Sequence, residues 1–338
     1  MFNLNKYFYN LPDELISNKP AEPRDTARLL VYDTSKNSIK FDVFKNLHLY
    51  IPKKSLFVFN DTKVLPARVV LKKDTGGKVE ILFLINEVGD RGLIKAISDR
   101  KLSVGQKIYF PNGKFLTIIE QKEQFFYLKP SFKNLPLLLE KYGITPIPKY
   151  LGKTNLNEKE LRKRYQSIFA KTPASVAAPT ASLHFTKRVL NNLKKNGADF
   201  AHITLNVGMG TFAPLRGENI KSKKLHKEWY EIQKSEWKKI KSGKSVVAVG
   251  TTAVRALESA SKNKKFSGAT EIFIFPPFNY KVVDGLITNF HIPKSSLMCL
   301  VDAFLKSKKA KMGITDIYKI AIKNKFRFYS FGDVMLIV

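Results

Sequence analysis

The chain has one cysteine in 338 residues, Cys299, and it sits in the apolar run LMCLVDAF. A lone cysteine excludes an intramolecular disulfide framework and a cysteine-based zinc cluster, and it fits a reducing cytoplasm. Nowhere do about 18 apolar residues run uninterrupted, the length that a membrane-crossing helix needs. The stretch MFNLNKYFYNLPDEL lacks a basic start followed by a sustained apolar core. We therefore expect a soluble, cytoplasmic protein with no membrane partner. No internal repeat and no low-complexity linker is present. Acid is also scarce: 28 Asp and Glu stand against 59 Lys and Arg, a formal net charge of +31. With 44% hydrophobic residues the chain is globular and long enough for about two domains. Such a charge on a folded protein points to a polyanionic partner, nucleic acid first, although part of the excess reflects a background rich in Lys, Asn, Ile and Phe.

The most informative stretch that is present is VVDGLITNFHIPK, Val282 to Lys294. Its apolar residues suit a buried strand, yet Asp284, Thr288, Asn289 and His291 are embedded among them. Buried polar groups cost several kcal/mol unless partnered, so the cluster is either a satisfied hydrogen-bond network or a reaction site.

From the N-terminus, a short helix opened by Pro12 leads through a loop crowded by Arg24, Asp25 and Arg28 into a strand at Arg28 to Tyr32. That loop is either held by ion pairs or binds a ligand. A second strand, Leu56 to Phe59, ends in Asn60, Asp61, Thr62 and Lys63, followed by Arg68; polar strand ends of an α/β unit are where such sheets place ligands. Between Ala67 and Leu128 the pattern changes to short alternating runs separated by glycines, with Asn112-Gly113 as a hairpin signal. This predicts a compact antiparallel barrel. A helix over Leu135 to Tyr142 follows, then a basic helix carrying Arg162, Lys163 and Arg164, then the small-residue stretch TPASVAAPTASLHFT with His184. Strand Ala201 to Val207 precedes Gly208 and Gly210, and the basic run KSKKLHKEWYEI holds His226 and Glu228. The strand VVAVG then meets TTAVRALESA, where Gly250 frees the backbone, Thr251 or Thr252 caps a helix, and Arg255 lies one turn in. Strand Glu271 to Phe275 and helices at Ser295 to Leu305 and Ile314 to Lys323 precede a buried C-terminal strand. The expected fold is α/β: a mixed-sheet domain of residues 1–66 plus 151–338 with an inserted antiparallel β-barrel domain of residues 67–150.

Ten segments together, in order, resemble one family: YNLPDELI with PAEPRDTARLLV, VFNDTKVLPAR, TGGKVEIL, YQSIFAK, VAAPTASLHFT, ITLNVGMGTF, HKEWYEI, VAVGTTAVRALES, KVVDGLITNFHIPKSSLMCLV and FRFYSFGDVMLI. The family is the S-adenosylmethionine:tRNA ribosyltransferase-isomerase of queuosine biosynthesis. The resemblance implies a tRNA partner bearing 7-aminomethyl-7-deazaguanine at the wobble position, and S-adenosylmethionine as ribosyl donor. It implies no prosthetic group and no metal. The available acid–base groups are Asp284, His291, His184, His226 and Glu228; His291 or Glu228 is favoured as the base, with Asp284 orienting it. Gly208, Gly210, Thr211, Gly250, Thr251, Thr252, Arg255 and Asn289 are the candidate S-adenosylmethionine contacts, with Gly250, Thr251 and Arg255 on the methionine carboxylate. Arg24, Lys63, Arg68, Arg162, Arg164 and Lys294 are the candidate tRNA contacts. A monomer is expected. Three positions depart from the family pattern, which has His at Asn206, Gly at Ser182 and a basic residue at Ala213.

Two other readings remain. A tRNA- or RNA-binding protein without catalysis would satisfy the charge but not the embedded polar residues. A methyltransferase would rest on Gly208 and Gly210, which lead into a loop containing Pro214 rather than a helix.

Overall fold

The alternating runs close on themselves. In the computed structural model, which describes residues 3–88, 92–151, 154–208, 215 and 217–338, six strands form a closed antiparallel barrel. They are β5 (Arg68–Lys73), β6 (Lys78–Val88), β7 (Ile94–Ser98), β8 (Lys107–Tyr109), β9 (Phe115–Lys122) and β10 (Phe125–Pro130). Along β9 every second residue at the start is buried, and Val69, Leu71, Ile81, Phe83, Leu116 and Ile118 fill the interior as period-two alternation requires. The Asn112-Gly113 turn joins β8 to β9; Gly113 adopts φ 81°, a left-handed conformation open to glycine.

Before the barrel come β1 (Arg28–Asp33), β2 (Ser38–Val43), β3 (Leu56–Asn60) and β4 (Thr62–Val64). After it come α1 (Leu135–Tyr142), α2 (Glu158–Arg164), β11 (Thr172–Ser175), α3 (Lys187–Lys195), β12 (Asp199–Leu205) and α4 (Gly217–Ser222). The chain continues through β13 (Lys224–Glu231), α5 (Lys234–Ile240), β14 (Val246–Val249), α6 (Thr251–Asn263) and β15 (Ser267–Ile272). It ends with β16 (Gly285–Asn289), α7 (Ser296–Ser307), α8 (Ile314–Lys323) and β17 (Val334–Ile337).

Among the described residues these strands build a nine-stranded mixed sheet in the order β15-β13-β12-β3-β14-β16-β17-β1-β2. Its middle four, β12, β3, β14 and β16, are mutually parallel, and β3, β14 and β16 are wholly buried because helices cover both faces, while β12 alternates between buried and partly exposed residues. The helices start where short polar side chains satisfy the first N–H groups. Thr186 accepts from Val189 N (3.3 Å) ahead of α3, and Ser295 from Met298 N (3.3 Å) ahead of α7. Asn157 and Glu160 form a reciprocal capping box at α2.

The mixed α/β sheet and the barrel agree with expectation, and several boundaries differ. Pro12 opens only a 3₁₀ turn, Asp13–Leu15. The strand expected at Glu271 to Phe275 is β15, Ser267–Ile272, which ends before the Pro276-Pro277 pair. The basic run near His226 is itself a strand, β13, with a largely exposed charged face of the kind that antiparallel strands toward a sheet edge turn to water. Among the described residues no helix is long and apolar enough to cross a membrane.

Candidate active site

Because β12, β3, β14 and β16 are parallel, their carboxyl ends open on one side of the sheet, the position where α/β folds place ligands. Asn206 to Gly208, Asn60 to Thr62, Gly250 to Thr252 and Asn289 to His291 follow or end these strands. At the ends of β12, β14 and β16 lies a cavity of about 50 Å³, whose lining includes Val207, Thr251, Thr252, Thr288, Asn289, His291 and Tyr329.

The turn from β14 into α6 depends on Gly250, whose φ of 90° is open to glycine alone among common residues and which carries no side chain to cap the helix. Thr251 and Thr252 are therefore the first residues of α6 and not its cap, contrary to expectation. Thr252 is buried, and its Oγ1 has no hydrogen-bond partner. Ser182 Oγ, in the small-residue stretch, and Asn206 Oδ1 are in the same condition. A buried orphan of this kind costs about 1–3 kcal/mol, and of the three Thr252 lines the cavity, where a ligand could satisfy it.

His291 is buried, with Nε2 at 2.8 Å from Thr288 Oγ1, while its backbone N–H donates to Tyr318 Oη (2.8 Å) and its carbonyl accepts from Tyr9. Burial alone lowers the imidazole pKa to about 3, so the ring is neutral. Asn289 is held by Thr180 Oγ1 (2.8 Å to Oδ1) and lies 3.2 Å from His184 Nε2. His184 is itself buried, against Phe44, and burial pushes its pKa down to about 4. Glu228 forms a buried ion pair with Arg255 and accepts from Gly208 N (3.3 Å), tying β13, α6 and the end of β12 together.

The structure thus brings His291, Asn289, Gly250, Thr251 and Thr252 to one cavity, with His184 directly behind. Asp284 requires correction. It sits at the opposite end of β16, half-exposed, accepting from Val246 N (2.9 Å), and does not touch His291. Seven residues along an extended chain separate the two by about 20 Å. His226 is on the exposed face of β13, apart from the buried cluster. Gly210, Thr211 and Ala213 lie outside the described residues.

The basic residues divide similarly. Arg162 is spent internally, on Glu158 (2.8 Å), Glu140 (2.9 Å) and the Gly143 carbonyl (2.7 Å). Arg24 donates to the Gln166, Lys163 and Arg164 carbonyls at the end of α2 (2.6, 2.9 and 3.2 Å). Both are engaged by partners within the chain. The Arg24–Arg28 loop is held by ion pairs, with Asp25 accepting from Arg188 (2.7 Å) and Thr186 (2.6 Å). Arg164 pairs with Glu22, Arg68 lies 3.4 Å from Glu80, the Lys294 ammonium sits 5.1 Å from the Phe8 ring, and Lys63 is exposed.

Sequence reasoning overlooked Tyr150, Tyr329 and Ser330, which also line the cavity. Tyr150 Oη is 2.6 Å from Ser330 Oγ, and the two tyrosine rings lie 4.9 Å apart. Tyr329 has φ 69°, a conformation that costs a non-glycine residue about 1–3 kcal/mol and clusters at functional sites. The one available signal was the polar pair preceding the buried C-terminal strand.

Fold and pocket define a ligand-handling α/β protein with a closed antiparallel barrel between its second parallel-sheet strand and the rest of that sheet. The family model for the queuosine biosynthesis protein matches residues 4–337. An S-adenosylmethionine:tRNA ribosyltransferase-isomerase of Carboxydothermus hydrogenoformans is 43% identical over 99% of both chains. One of Fusobacterium nucleatum is 41% identical over 99% of this chain and 96% of its own. The crystal structure of an S-adenosylmethionine tRNA ribosyltransferase from Thermotoga maritima is 31% identical and covers 98% of this chain and 100% of that one, with a TM-score of 0.56. The chain belongs to the queuosine biosynthesis protein family.

Proposed function

We propose that this protein is an S-adenosylmethionine:tRNA ribosyltransferase-isomerase. It transfers the ribosyl part of S-adenosylmethionine to 7-aminomethyl-7-deazaguanine at the tRNA wobble position, giving epoxyqueuosine, adenine and methionine. The observation that carries this reading is full-length similarity at about 40% identity to relatives of that name. A binder without chemistry leaves the unpartnered Thr252 hydroxyl and the neutral buried His291, both lining the cavity, without a role.

The sulfonium acidifies the neighbouring C5′ protons, and His291, neutral and lining the cavity, is the base we assign to remove one. The ribose then opens with loss of adenine, the aminomethyl nitrogen adds at C1′, and closure to the epoxide expels neutral methionine. The α6 N-terminus at Thr251 and Thr252 suits the methionine carboxylate, since a helix start favours negative charge. Arg255 lies behind it and braces the turn through Glu228. At about 50 Å³ the cavity is far below the roughly 300–1,000 Å³ of ligand-enclosing pockets. Binding must therefore move its walls, and Tyr150 and Tyr329 form one of them. The same reading makes residues 67–150 an inserted domain, places the protein in the cytoplasm, and has it act as a monomer without a prosthetic group.

The test is incubation with S-adenosylmethionine and an anticodon stem-loop carrying 7-aminomethyl-7-deazaguanine, with free adenine followed by chromatography. Adenine released only with the modified RNA supports the reading; none, with RNA still bound, removes it.

A further inference from the structure

One cavity outside the site shares a wall with it. Barrel residues Arg68, Glu80, Leu82, Ile97 and Asp99 face the turn from Pro146 to Tyr150 across about 270 Å³ of space, and Tyr150 lines this cavity and the S-adenosylmethionine site alike. We propose that it receives the flipped wobble base, reading the guanine edge with two carboxylates and a guanidinium. This rests on the proposed function, because it supplies the base whose aminomethyl group that chemistry needs beside the ribose.

A 7-deazaguanine presents one acceptor, O6, next to two donors, N1–H and the 2-amino group. The cavity offers the complement. Arg68 Nη2 is occupied by the Ile147 carbonyl (3.1 Å), but its buried Nε lies 3.4 Å from Glu80 Oε1 and makes no hydrogen bond. The Arg68 guanidinium, which lines the cavity, is the group for O6. Asp99 Oδ1 accepts from Glu80 N (2.8 Å), while Oδ2 has Arg100 Nε only at 3.8 Å, beyond hydrogen-bond distance. Asp99 Oδ2 and the Glu80 carboxylate are the acceptors for N1–H and the amine. Leu82, Ile97 and the two prolines of the turn supply apolar walls for the ring faces. Extruding a base into such a pocket and reading its Watson–Crick edge is how enzymes reach atoms of a nucleotide. Carboxylates in a strongly basic protein also argue for a base edge, since against a phosphate they repel.

The test is direct binding, independent of turnover: dissociation constants of anticodon stem-loops carrying guanosine or inosine at the wobble position, for wild type and the Glu80→Gln/Asp99→Asn double variant. Inosine lacks only the 2-amino group. The wild type is expected to prefer guanosine by about 5-fold or more, the scale of one hydrogen bond. The double variant should lose that preference and bind the guanosine stem-loop about 10-fold more weakly, with S-adenosylmethionine binding unchanged. An unaltered guanosine-to-inosine ratio overturns the proposal. So does equal strengthening of both RNAs, which would mean that the carboxylates act only as surface charge repelling phosphate. Failure of the functional reading shows separately, as no adenine from the wild type.

Discussion

The two ends of β16 carry similar polar residues and do different things. At its amino end Asp284 is half-exposed and clips β14 to β16 through one backbone bond to Val246. At its carboxyl end Thr288, Asn289 and His291 are buried and face the cavity. The difference comes from direction: parallel strands gather their carboxyl ends at one crevice, where helix N-termini also point, so a polar residue there meets ligand while its counterpart at the other end meets neighbouring backbone. Chemical type alone does not separate them. The same contrast divides the buried carboxylates. Glu258 accepts from the backbone N–H groups of Val282 and Lys281 (3.0 and 2.9 Å) and so fastens the approach to β16, whereas Glu228 lies beside Gly208 next to the crevice.

The largest effect expected from this contrast is at the carboxyl end. His291→Gln keeps a side chain able to bond Thr288 but removes the proton acceptor, and turnover should fall about 10²–10⁴-fold, the range for a lost general base. Adenine release measures it, with thermal unfolding as the check on folding. A variant retaining the full rate would take His291 out of the mechanism and dissolve the distinction between the ends.

A second consequence is in stability against pH. His291 and His184 ordinarily titrate near 6.5 and are held by burial at about 3 and about 4. Below pH 6.5 the unfolded chain binds protons that the native chain refuses, so their contribution to stability is full above pH 6.5 and is lost as pH falls toward 4 for His184 and toward 3 for His291. Each histidine accounts for up to about 1.4 kcal/mol per pH unit in that window. Urea unfolding at pH 7 and pH 5 should therefore give a shallower decline for His291→Gln than for the wild type. Equal declines would mean that burial does not hold the pKa of the folded imidazole below its ordinary value.

Much of this was legible beforehand, for definable reasons. The barrel was written in period-two alternation and an Asn-Gly turn, both local signals. The α6 junction was written in Gly250. What stayed hidden depends on partners distant in the chain. Arg162 reads as an exposed base in a basic helix, and only the fold brings Glu140 and the Gly143 carbonyl to it. Asp284 reads as a partner for His291 because both are embedded in one apolar stretch, but an extended strand sets them far apart. Tyr329 has no local mark of its left-handed backbone, which arises where the chain before β17 crosses the end of β16 and Tyr329 N donates to the Phe290 carbonyl (3.1 Å).

The smallest effect is the most discriminating for the comparison. Asp284→Asn keeps an oxygen for the Val246 N–H and loses only a distant, exposed pairing with Lys308 at 4.0 Å. Surface pairs of that kind are worth about 0–1 kcal/mol, so stability should drop by less than about 1 kcal/mol. No path from Asp284 leads to the reacting atoms except through the full length of a rigid buried strand, so turnover should stay within the scatter of repeated assays. If Asp284→Asn instead lost activity as His291→Gln does, with its unfolding midpoint intact, the amino end of β16 would belong to the site. The parallel-strand argument would then fail for this protein at the residues that state it most plainly.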